Sequence, residues 1–109
     1  MAWLVRDGDV LASLEQATSV RDRMVGLLGR DGIEGALLLR PARSVHTLGM
    51  RFAIDVAFVD AELTVLRTCT MRPWRMSRPV RRARSVIEAE AGAFERWNLK
   101  PGDTLSLKG

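Results

Sequence analysis

The chain has one Cys and one His in 109 residues. A single Cys forms no internal disulfide and no thiolate metal cluster. With a single His, no Ser-His-Asp or Cys-His arrangement can be argued from chain order alone. No apolar run reaches the ~18 residues that span a bilayer, so no membrane partner is expected. The start, Met1-Ala2-Trp3-Leu4-Val5-Arg6-Asp7, lacks the basic residues and apolar middle of an export signal, and the expected location is cytoplasmic. Lys is scarce too: 2 Lys stand against 15 Arg, and the net charge is +4. A basic balance invites nucleic acid or an anionic surface as partner. The same Arg excess also follows from the coding bias of a GC-rich genome.

What is present is globular. An apolar share of 47% with 28% charged residues argues against disorder. The length suits one domain, 1–109, with its own core.

Residues 3–5 and 10–14 read as two strands around the turn Asp7-Gly8-Asp9. The period then changes. Thr18 or Ser19 caps a helix, and Val20, Met24, Leu27 and Leu28 share one of its faces. Arg23, Gly26 and Arg30 form a second stripe beside that face. Residues 36–39 are a continuous apolar run bounded by Gly35 and Pro41, a buried strand. Strands are expected at 45–48 and 54–59, with a bend at Gly49. In the latter, Ile54, Val56 and Phe58 share one face and Asp55, Ala57 and Val59 the other. Both faces are apolar enough for a central strand. Further strands are expected at 63–70, 84–91 and 104–107, a helical turn at 93–97, and a long surface loop at 72–84. The expected fold is mainly β with one principal α-helix: a compact, antiparallel, jelly-roll-like barrel or sandwich.

The motifs come in a definite order. Arg23-x-x-Gly26-Leu27-x-x-Arg30 precedes Gly35 and its strand. Val45-His46-Thr47-x-Gly49-Met50 and Ile54-Asp55-x-x-Phe58-x-Asp60 follow. Val86-Ile87-Glu88, Ala91-Gly92 and Gly102-Asp103 close the series. Taken together, from about residue 18 to 107, this pattern resembles the bacterial and archaeal domain of unknown function family 192. The resemblance implies a compact, mostly β, jelly-roll-like domain and no established activity. Two departures stand out. Leu63 occupies a turn position where the family often has Gly, so a different turn is expected. His46-Thr47-Leu48-Gly49-Met50 replaces an aromatic-Met-Lys-Asn-Thr segment, which argues against His46 as a catalytic base of the family.

Asp55 is the residue that most needs explaining, because an acid in an apolar strand needs a partner. It either caps a turn, pairs with Arg23 or Arg30, or fixes a ligand's donor. His46 and Met50 fall on one side of a strand unless Gly49 breaks the alternation. Glu88 and Glu90 lie two apart and point the same way; Glu88 is expected to pair with an Arg and Glu90 to be solvated. Cys69 reads as a small core residue. No ligand spacing indicates a metal, and no cofactor or catalytic residue is expected.

The leading expectation is a non-catalytic binding or accessory domain. Its pocket would use Arg23, Arg30, His46, Met50, Asp55 and Glu88 for a small ligand or a peptide carboxylate. The protein partner, if there is one, is not specified by the sequence. The second expectation is a nucleic-acid module built on Arg72, Trp74, Arg75, Arg78, Arg81, Arg82 and Arg84, because Arg with an interleaved aromatic suits single strands. A hydrolase using Glu88, Glu90 or His46 ranks third.

Overall fold

The computed structural model describes residues 2–17 and 32–109. The helix expected at 19–28, with Arg23 and Arg30, lies outside the described residues. Among the described residues the fold is mostly β. Strands β1 (Ala2–Arg6), β2 (Asp9–Ala17), β3 (Ala36–Leu39), β4 (Ile54–Val59), β5 (Val65–Met71) and β6 (Ser85–Glu90) precede a one-turn helix α1 (Ala93–Arg96), and β7 (Ser106–Lys108) follows it. No helix among them is long and apolar enough to cross a membrane.

The strands form one sheet in the order β5-β4-β6-β3-β2-β1-β7. Neighbours are antiparallel except β2 and β3, which run parallel. A parallel pair needs a crossover of a dozen or more residues, and residues 18–35 supply it. The two ends of the sheet are drawn together. Val65 N–H donates to the Asp103 carbonyl at 2.8 Å, Leu105 N–H to Leu63 at 2.9 Å, and Thr64 bridges Thr104. The sheet thus rolls into a barrel tied across its seam, which matches the expected architecture.

Strict alternation divides the apolar residues into two cores. Leu4, Leu14, Leu38, Ala57, Val59, Ile87 and Ala89 face the barrel interior, where Phe94 of α1, Leu99 and Leu105 join them. Leu37, Leu39, Ile54, Val56, Phe58 and Val86 face outward. Val45, Met50 and Ala83, from the connections either side of β4 and β5, cover that outer face. This is why β4 is apolar on both faces: each face has its own core.

Residues 45–48 are not a strand. Val45 and Thr47 are buried while His46 and Leu48 are exposed, so the period-2 signal is real. The segment pairs with residues 75–77 only through an isolated His46–Met76 bridge, and the turn at Gly49 (φ 79°) ends it. Leu63 adopts φ 64°, the left-handed conformation that Gly favours. Gly35 is required where it is. A Cβ there would sit 2.4 Å from Ser13 Oγ and 2.6 Å from its carbonyl oxygen, at φ 71°.

Candidate functional site

Asp55 sits near the start of β4, next to the edge strand β5, and is buried, on the inner face beside Ala57. Its Oδ1 accepts the Thr70 hydroxyl at 2.7 Å from the opposite position on β5. Its Oδ2 accepts Gly92 N–H at 3.0 Å and Phe94 N–H at 3.1 Å. These are the first amides of α1, which have no carbonyl to meet within the helix. Gly92 precedes the helix with φ 96° and has no side chain to cap it. Asp55 therefore caps α1 from a remote strand and fixes it to the sheet. A depression of about 310 Å³ opens above, lined by Thr68, Thr70, Glu95 and Asn98 among others, but the Asp55 oxygens are already engaged by the protein.

Of the other residues expected to line a pocket with Asp55, Arg23 and Arg30 lie outside the described residues, and Glu88, Met50 and His46 lie elsewhere. Glu88 is the β6 neighbour of Val56 and Leu37, so it faces the outer core, on the opposite side of the sheet. Met50 is buried in that same outer core. His46 is exposed, and its Nδ1 accepts Leu48 N–H at 3.3 Å. The turn at Gly49 breaks the alternation between His46 and Met50. Neither the depression above Asp55 nor the Arg-lined cavity below is lined by His46, Glu88 or Glu90.

Glu90 is on the surface as expected but carries an ion pair, whereas Glu88 is buried. Glu90, at the strand end, meets the Arg96 guanidinium at 2.5 Å on the surface. Glu88 is held in mid-sheet between Val56 and Leu37, and burial pushes its carboxyl up to about 7. Among the described residues, no three of His, Cys, Asp and Glu come together in a way that could hold a metal ion.

The Arg-rich segment is not free. Thr47, fully buried, pins it. Its N–H donates to the Arg75 carbonyl at 2.8 Å, its carbonyl accepts Trp74 N–H at 2.9 Å, and its hydroxyl donates to the Arg72 carbonyl and accepts Arg75 N–H. Ser77 N–H donates to the Val45 carbonyl, and Val45 N–H donates back to Ser77 Oγ. Docked this way, the segment forms one wall of a cavity of about 490 Å³. The outer face of β5 forms the floor. Four arginines line the cavity: Arg67 from β5, and Arg72, Arg75 and Arg78 from the docked segment. Phe58, Met71, Met76 and Val80 supply its apolar surface, and no Asp or Glu is among the described residues that line it. Among the described residues none of these four guanidinium groups meets a carboxylate; Arg75 donates to the Trp74 carbonyl. Cys69 also borders the cavity. Burial pushes its thiol up, against the pull of Arg67, so it is a poor nucleophile.

Arg81, Arg82 and Arg84 turn to a separate depression that also holds Asp60 and Glu62. Trp74 is exposed and does not line the Arg cavity. The structure thus splits the six arginines of the segment into two groups of three. Sequence reasoning missed Arg67, whose only signal is a cation in an otherwise uncharged strand, at the position two before Cys69.

These features define a small, mostly β, barrel-like domain with a cation-lined cavity against one edge strand. The chain belongs to domain of unknown function family 192, described as "Uncharacterized ACR", whose family model matches residues 2–107. A UPF0127 protein of Pyrococcus furiosus is 39% identical over 62 residues, covering 57% of this chain and 53% of that protein. A UPF0127 protein of Thermococcus gammatolerans is 30% identical over 99 residues, covering 85% and 65%. The chain spans about half the length of the first of these relatives. A protein of unknown function from Novosphingobium aromaticivorans, solved at 1.22 Å, superposes with a TM-score of 0.81 at 20% identity, covering 96% of this chain and 82% of that one. At that identity the likeness is one of fold.

Proposed function

We propose that the chain is a small, non-catalytic binding domain whose ligand is an anion, either a small molecule or a peptide segment bearing carboxylates. The observation that supports this is the Arg67, Arg72, Arg75 and Arg78 set around one cavity with no acid among its described lining residues. Like charges gathered without a counter-charge repel one another, by about 1 kcal/mol for a pair 4 Å apart in water and more where water is displaced. An anion relieves that repulsion. The planar guanidinium fork also matches carboxylate and phosphate geometry with two parallel hydrogen bonds. The cavity replaces the pocket expected from Asp55 and Glu88, while the ligand class stays the same. The cytoplasm is the compartment this reading assumes, since the lone Cys69 asks for no oxidising environment.

The test is a thermal-shift series with phosphate, citrate and glutamate on wild type and on the double variant Arg72→Ala, Arg75→Ala. Both side chains are exposed, so the variant folds at little cost. An anion at 100 times its dissociation constant adds about 2.7 kcal/mol of stability to wild type. The double variant loses that gain. Equal stabilisation of both proteins, or none of wild type, refutes the reading.

A further inference from the structure

The cavity lies against an edge. Among the described residues β5 has β4 on one side and no strand on the other. Its first residue, Val65, is covered on the open side by Gly102 and Asp103. Beyond Val65, residues 66–71 make no backbone hydrogen bond on that side among the described residues. An unpaired strand edge is a template for another strand. Both faces of β5 are recessed along this stretch, by the Arg cavity on the outside and the depression above Asp55 on the inside. Cys69 and Thr70 border both.

We propose that the occupant is an extended acidic segment of a partner protein, which adds to β5 as one more strand. This rests on reading the Arg-lined cavity as an anion site. Side chains of an added strand alternate between the two faces. Every second residue then reaches the side of Arg67, Arg72, Arg75 and Arg78, where a carboxylate is favoured. The intervening residues reach the side of Thr68, Thr70, Glu95 and Asn98, where the nearby acids disfavour another carboxylate. The pattern recognised is therefore acidic residues two apart with neutral polar residues between. Main-chain hydrogen bonds supply affinity in such a mode, and the alternate side chains supply specificity.

Charge decides against two other occupants. A second copy paired edge to edge through β5 brings the same arginines together and is repelled. A single-stranded nucleic acid is favoured by aromatic platforms beside the cations. Here Trp74 stays out of the cavity, and the remaining arginines of the segment face Asp60 and Glu62 instead.

The experiment titrates the full chain with a labelled, capped peptide alternating Glu and Thr. Two further peptides carry N-methyl groups on the Glu amides or on the Thr amides. Citrate and a single-stranded oligothymidylate complete the set. An added strand bonds through one set of alternate amides only. One N-methylated peptide therefore binds at least about tenfold more weakly, because it loses two or more hydrogen bonds, and the other binds like the parent. Arg72→Ala with Arg75→Ala weakens the parent peptide by a similar factor. If both methylated peptides bind like the parent, or both are weakened alike, strand addition is overturned while citrate binding leaves the anion site standing. If neither peptide nor citrate binds, both readings fall. Tighter binding of the oligonucleotide than of the peptide overturns the peptide as occupant.

Discussion

Replacing Asp55 with Ala removes the acceptor for three donors at once. Phe94 N–H is buried and has no other partner in reach of its helix, so it bears the full cost of an unmet hydrogen bond, about 1–3 kcal/mol. Gly92 N–H is only partly buried and regains some water, which adds about 1 kcal/mol. Thr70 is exposed, so its hydroxyl turns to solvent at little cost. The sum is about 2–4 kcal/mol, a large part of the 5–15 kcal/mol that holds a domain of this kind together. At roughly 4 °C per kcal/mol, the melting temperature falls by about 8–16 °C. Asn at this position keeps a carbonyl for the two amides and offers its NH₂ to the Thr70 oxygen. Neutral bonds are about half as strong as those to a carboxylate, so Asp55→Asn falls between wild type and Ala. Thr70→Val costs less than 1 kcal/mol by the same reasoning. Urea unfolding followed by Trp fluorescence reads all three, since Trp97 packs on Phe94 with ring centroids 5.6 Å apart. An unchanged midpoint for Asp55→Ala, or equal losses for Asn and Ala, refutes the capping role.

The Glu88 carboxyl is raised from 4.5 to about 7 by burial, so the folded state holds its proton more tightly than the unfolded state does. Its contribution is intact below about pH 4.5 and is lost as pH rises to about 7, a change on the order of 3 kcal/mol. Wild type minus Glu88→Gln, measured by urea unfolding from pH 4 to 8, falls across that window; a constant difference contradicts the burial account. Thr47→Val leaves Arg75 N–H without its hydroxyl acceptor and costs about 1–3 kcal/mol. Amide exchange at residues 72–77 rises in this variant and anion affinity drops with it, whereas unaltered exchange shows that Thr47 does not hold the segment.

The sequence disclosed the scaffold better than the site, for physical reasons. Residues 36–39 are an uninterrupted apolar run and residues 54–59 are apolar but for Asp55, and the structure makes them β3 and β4 over those same residues. Residues 45–48 alternate just as clearly, yet a strand also needs a continuous neighbour, and Pro73 and Pro79 bound the short segment that His46 bridges. The oddity of Asp55 was visible, but its partners were not. The Gly92 and Phe94 amides have no side-chain signature, and only the path of the chain brings them within 3.1 Å. Alternation puts Glu88 and Glu90 on one face and says nothing of distance from the strand end, so it does not show that Glu90 reaches Arg96. The density of Arg at 72–84 was plain. Its division into a docked set, with no acid beside it among the described residues, and an acid-neighboured set depends on Thr47, which binds the segment through backbone groups that every residue possesses.

The most direct test of the anion site is side-chain NMR. Citrate titrated into ¹⁵N-labelled protein should move the Nε–H resonances of Arg67, Arg72, Arg75 and Arg78 together and saturably, leaving Arg81, Arg82 and Arg84 in place. No movement in the first group, or equal movement in both, contradicts the account.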